Sequence, residues 1–152
     1  MNNFQREGAT SNSHAGRAFE ELVEAYFTNA GLAVYRDVSL EIGCNNKRKP
    51  RKWDLGSSEG KIIIECKSHT WTKTGNVQSA KLTTWDQAMY FMHLAPISYR
   101  KIFACLRNER PYKSESLAEY YVRLKSHLVP SDVEIWEFCE KSGNVKLLNP
   151  SD

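Results

Sequence analysis

Along residues 16–31, GRAFEELVEAYFTNAG, the apolar residues Phe19, Leu22, Val23, Tyr26, Phe27 and Ala30 return at three- and four-residue spacing. That period predicts an amphipathic helix, with Ser13 as a cap near its start and Gly31 at its end. Glu20 falls on the edge of the apolar stripe beside Val23 and Phe27, whereas Glu21 and Glu24 turn to solvent. Residues 32–42, LAVYRDVSLEI, alternate as one strand with a bend. Residues 52–67, KWDLGSSEGKIIIECK, read as two extended segments joined at the turn-rich GSSEG. A helix is predicted over residues 77–94, with Leu82, Trp85, Met89 and Met92 as its buried stripe and Pro96 beyond it. YRKIFACL, residues 99–106, is a strand leading to Arg107. Residues 114–128 form a helix capped by Ser114 or Ser116, and DVEIWEFCE with VKLL make a terminal hairpin across KSGN. This order predicts an α/β fold, a mixed central β-sheet flanked by helices on both faces. Residues 1–152 form one domain, with 1–13 as a flexible arm.

Composition adds limits rather than chemistry. The 41% hydrophobic and 26% charged content is that of a soluble globular chain. No apolar run approaches the roughly 20 residues that span a bilayer. The polar N-terminus lacks the apolar segment of a secretory signal. Cys44, Cys66, Cys105 and Cys139 form no CxxC pair, so a reduced, cytoplasmic protein is expected, with Cys66 and Cys105 as small core residues. His14, His69, His93 and His127 show no ligand spacing, and His93 is placed on the apolar side of its helix. The net charge is only +3, but KRKPRK at residues 47–52 holds five positive charges, leaving the remainder net negative. Such a run is either a solvated loop or a phosphate-contacting patch, and its neighbours must decide.

Its neighbour is the hairpin. With the turn centred between Ser58 and Glu59, Asp54 opposes Ile63 and shares a face with Glu65 and Lys67. Glu65 is then the diagonal neighbour of Asp54, about 7–8 Å away. Two carboxylates at that spacing can share one small cation. Hydrolysis of a phosphodiester needs such a group: oxygen-ligated Mg²⁺ offsets the developing charge and acidifies a bound water. A lysine beside it orients the attacking water or stabilises the transition-state charge. Asp54, Glu65 and Lys67 supply these parts, Glu20 is a further candidate ligand, and the backbone carbonyl of Cys66 can join the metal shell. An E-x-K alone arises by chance in about half of chains this size. The apolar strand leading into it, the upstream aspartate and the helical glutamate together make it informative.

GRAFE (16–20), WD (53 and 54) and ECK (65–67) resemble the motifs of the PD-(D/E)xK nuclease superfamily, the restriction-endonuclease-like fold. The layout is most similar to Holliday junction resolvases and small restriction-like endonucleases, over roughly residues 14–107. Trp53 stands where the family's motif has proline, and Gln87 with Tyr90 is one residue short of a Q-x-x-x-Y helix. The resemblance implies Glu20, Asp54 and Glu65 as metal ligands and Lys67 as the catalytic lysine. It implies a Mg²⁺-dependent endonuclease, with Mn²⁺ able to substitute, that cuts DNA to leave 5′-phosphate ends. Lys47, Arg48, Lys49, Arg51, Lys52 and, in the next loop, Lys73 would then track DNA phosphates. A chain this short would act as a homodimer or as the nuclease subunit of a larger assembly. The alternative is a non-catalytic nucleic-acid-binding module on the same fold. Residues 108–152 resemble nothing familiar.

Overall fold

The computed structural model describes residues 12–149, so the expected N-terminal arm lies almost wholly outside the described residues. The elements are α1 (Asn12–Asn29), β1 (Tyr35–Ile42), β2 (Lys49–Ser57), β3 (Ile62–Lys67), α2 (Ser79–Leu94), β4 (Arg100–Leu106), α3 (Leu117–Lys125), β5 (Val133–Phe138) and β6 (Val145–Leu147), with a 3₁₀ turn at Ser126–Leu128. The order matches the sequence pattern throughout. Ser13, expected as a cap, already lies inside α1. The cap of α3 is Ser116, not Ser114. Its hydroxyl accepts from the Glu119 amide while the Glu119 carboxylate accepts from the Ser116 amide, a reciprocal capping box.

The six strands lie in sequence order in one sheet. β1, β2 and β3 are antiparallel, β3, β4 and β5 are parallel, and β6 returns antiparallel. The α2 and α3 segments serve as the crossovers that parallel pairing requires. On one face α1 seats Phe19, Val23 and Phe27 against Leu55, Ile62, Ile64, Ile102 and Ala104. On the other, α2 and α3 bring Trp85, Met89, Met92 and Tyr121 against Trp53, Ile63, Phe103 and Ile135. The three consecutive isoleucines of β3 are thereby explained: Ile62 and Ile64 serve one layer, Ile63 the other.

The stripe read for α2 is the buried one, but His93 is exposed rather than in the core. Cys44, Cys66, Cys105 and Cys139 are all free thiols, and Cys105 is fully buried. Among the described residues, no helix is long and apolar enough to cross a membrane.

Candidate active site

Asp54 occupies a break in the sheet. Trp53 belongs to the core beneath α2 and Leu55 to the core beneath α1, so the regular alternation of faces fails at Asp54. β1 breaks at the same level. Val38 pairs with Trp53 and Arg36 with Leu55, but Asp37 and Asp54 are skipped, and Asp37 has a φ of 55°. Positive φ is costly for a residue with a β-carbon, and aspartate is among the few side chains that tolerate it.

β2 also leaves β3 here. Their pairing is confined to Leu55↔Ile64, Gly56↔Ile63 and Ser57↔Ile62. This corrects the expected register, in which Asp54 opposed Ile63. The loop is one residue further on, with Gly60 donating its amide to the Ser57 hydroxyl and Lys61 at a φ of 52°. Extended by one pair, this register would set Asp54 opposite Glu65, but pairing stops at Leu55. The Asp54 side chain turns into the gap between the strands, within electrostatic reach of Glu65. Gly56 is required by the close approach: a β-carbon there would run into the Ile62 carbonyl.

Where the ladder stops, a side chain continues it. Asp54 Oδ2 accepts the Cys66 amide at 2.8 Å. In an extended strand the N–H and C=O of one residue point to the same side. The Cys66 carbonyl therefore points to the same side of β3, toward β2.

Glu65 follows on the α2 side, with only 5% of its surface exposed. Its Oε1 receives Arg51 Nη2 at 3.2 Å and Lys67 Nζ at 3.4 Å. Its Oε2 is buried and finds no partner among the described residues. Burial, and then the charge of Asp54, hold the Glu65 pKa above the ordinary carboxylate value. Asp54 is raised as well, by burial first, against the pull of the Cys66 amide and of Lys67 and Arg51. Both acids are held back from ionising chiefly by burial, and one has an orphaned oxygen.

Glu20 approaches from α1, half-buried as expected, and Asp54's charge helps raise its pKa after burial. Its carboxylate is held by Arg36 of β1 at 2.9 Å, and Arg36 also reaches Glu24 at 3.1 Å. Glu24, expected in solvent, is therefore engaged. Among the described residues, no group of three or more His, Cys, Asp or Glu side chains is placed to hold a metal ion. The expected three carboxylates do not form such a group, and Glu20 is paired with Arg36 instead. The pair that fits a hard cation is Asp54 with Glu65, joined by the Cys66 carbonyl. All three offer oxygen donors, and the orphaned Oε2 is the atom in want of a partner.

The basic run divides. Lys47, Arg48, Lys49 and Lys52 are exposed, as is Lys73 in the loop after β3. Arg51 turns inward instead, its guanidinium 4.2 Å from the Phe91 ring centroid and 4.9 Å from that of Trp53. It belongs to the acidic site rather than to the outer patch. Strand alternation could have revealed this, since Arg51 is two residues from the core residue Trp53 and shares its face. Trp71 is a packing residue, against Tyr120 and beneath Arg110.

His69 was missed, because nothing in its spacing marks it. The Trp85 indole donates to its Nδ1 at 2.8 Å, and burial with the charges of Lys67 and Lys81 lowers its pKa to about 4. Comparison of the sequence with protein families and with curated proteins finds no match.

Proposed function

We propose that this chain is a Mg²⁺-dependent endonuclease of the PD-(D/E)xK type that hydrolyses DNA phosphodiester bonds. One observation carries the reading. Where β2 parts from β3, Asp54, Glu65, the Cys66 backbone and Lys67 converge, and a buried Glu65 oxygen is left unpartnered. An arrangement made only for stability would pair that oxygen or replace the acid, since an unmet buried acceptor costs about 1–3 kcal/mol. The order of one helix, three antiparallel strands, a helix and a parallel strand supports a restriction-endonuclease-like core.

Asp54, Glu65 and the Cys66 carbonyl would hold the cation, with Mn²⁺ able to replace Mg²⁺. Bound there, it would supply charge neutralisation at the phosphoryl oxygens and a more acidic water. Asp54 is oriented by the Cys66 amide, which fixes Oδ2 and leaves Oδ1 without a hydrogen bond among the described residues. Lys67 Nζ lies beside Glu65, where it would orient the attacking water and offset negative charge at the attacked phosphate. Arg51, clamped between two rings, donates to Glu65 Oε1, and its charge offsets part of the burial that raises the Glu65 pKa. Glu20 steadies Arg36, and the charge of Asp54 acts on Glu20. Lys47, Arg48, Lys49, Lys52 and Lys73 are the exposed cations available to DNA phosphates, and a homodimer would place two sites on one duplex.

The test is cleavage of plasmid, linear duplex and four-way-junction DNA in Mg²⁺, beside Lys67→Ala and Asp54→Ala. Cleavage by the wild type alone supports the reading. Wild type and variants that behave alike sink it, and DNA binding indifferent to Mg²⁺ would favour a binding module instead.

A further inference from the structure

We propose that His69 is a neutral hydrogen-bond donor to the substrate phosphate, set in one tautomer by Trp85. The inference rests on the nuclease reading and adds a residue to it. Trp85 is almost wholly buried and its indole N–H can only donate, so the His69 Nδ1 that receives it carries no proton. A neutral ring bare at Nδ1 must carry its proton on Nε2. That nitrogen has no partner among the described residues and is not sealed from solvent.

Its placement relative to the acids is set by the core. Phe103 sits beside Glu65 in the sheet. Trp85 packs on Phe103 with ring centroids 5.4 Å apart, and His69 stacks on Trp85 at 6.3 Å and 28°. His69 thus stands on the α2 side of the sheet, two residues beyond Lys67.

The charged groups acting on it are Lys67 from β3 and Lys81 from α2, both positive, and both oppose a third positive charge. Protonation at Nδ1 would also turn that atom from acceptor to donor and break the Trp85 bond. The imidazole is held as a donor that neither takes up nor releases a proton in the physiological range. A group of this kind polarises a phosphoryl oxygen without serving as acid or base, as neutral imidazoles do at carbonyls.

Nitrogen-detected NMR of His69 in metal-free protein, from about pH 5 to about pH 8, reads the tautomer directly. The expected result is a proton on Nε2 and a bare Nδ1 throughout, and titration near the ordinary histidine value would overturn the proposal. Adding a short DNA duplex with Ca²⁺ should then shift the Nε2–H resonance, and an unmoved resonance also overturns it. In Mg²⁺ cleavage assays His69→Ala should lower kcat roughly 10²-fold with little change in KM. His69→Gln should recover much of that loss, because a carboxamide offers Trp85 an acceptor and the phosphate a donor. Full activity in His69→Ala overturns the proposal while leaving the nuclease reading intact. If the wild type does not cleave DNA at all, the nuclease reading fails, and the DNA-induced shift alone decides whether His69 meets phosphate.

Discussion

If Asp54 and Glu65 hold a cation as proposed, stability depends on metal and pH together, and Asp54→Asn separates the two contributions. The pKa values of Asp54 and Glu65 are raised by burial, so between the ordinary carboxylate range, near 4, and their raised values the folded chain holds more protons than the unfolded one. The stability that this protonation lends is complete below that range and lost as pH rises through the raised values. A divalent cation binding only the folded, ionised pair reverses the trend. At ten times its Kd it stabilises by about 1.4 kcal/mol, worth about 3–6 °C in Tm for a chain of this size. The increment should be larger at pH 7.5 than at pH 5.5, because at the lower pH the metal must displace protons. Asn at position 54 keeps a carbonyl oxygen for the Cys66 amide but removes one charge from a crowded site. In EDTA the variant should therefore melt within about 2 °C of wild type, or above it. In Mg²⁺, Mn²⁺ or Ca²⁺ it should gain little. Calorimetry at both pH values, with and without 10 mM cation, measures all of this. A wild-type Tm indifferent to every cation, or an Asp54→Asn protein that gains as much as wild type, would refute the reasoning.

Other substitutions probe the supports of the site. Lys67→Ala should lower DNA cleavage by at least about 10²-fold while circular dichroism and Tm stay near wild type. Arg51→Lys loses the planar stacking on Trp53 and Phe91 and should cost about 1–2 kcal/mol in urea unfolding, so a neutral result would show that the clamp is idle. Gly56→Ala must push β2 away from the Ile62 carbonyl and should cost about 2 kcal/mol or more by the same measurement. Ser116→Ala removes both the cap of α3 and a hydroxyl bonded to the buried Glu137 carboxylate, and a loss of about 2 kcal/mol is expected in thermal melts.

The element order was legible because each segment carries its own period: three to four residues in α1 and α2, continuous apolar runs in β3 and β4. Glu65 and Lys67 share a face because they alternate along one regular strand, β3, which the sequence shows directly, whereas Asp54 reaches them from outside the ladder. The break at Asp54 was not legible. It depends on β1 and β2 changing face together, with Asp37 taking an unusual φ, and neither aspartate differs in sequence from an ordinary exposed one. The loop register was missed because its left-handed position is filled by Lys61, where the sequence offers Gly60. Glu20's engagement with Arg36 and the His69–Trp85 bond join residues 16 apart in each case, and local patterning does not encode such pairs.

The guanidinium clamped between Trp53 and Phe91 has a consequence for how the protein is made. Many small metalloproteins cannot fold until their ion arrives, because the binding free energy of the ion supplies the free energy of folding. Here Glu65 emerges from folding already beside Arg51 and Lys67, two cations drawn from the same chain. If the site takes a cation as proposed, folding and metal loading would be separate events. On the nuclease reading, a newly made chain would reach its mature shape under metal starvation and hold it until an ion becomes available.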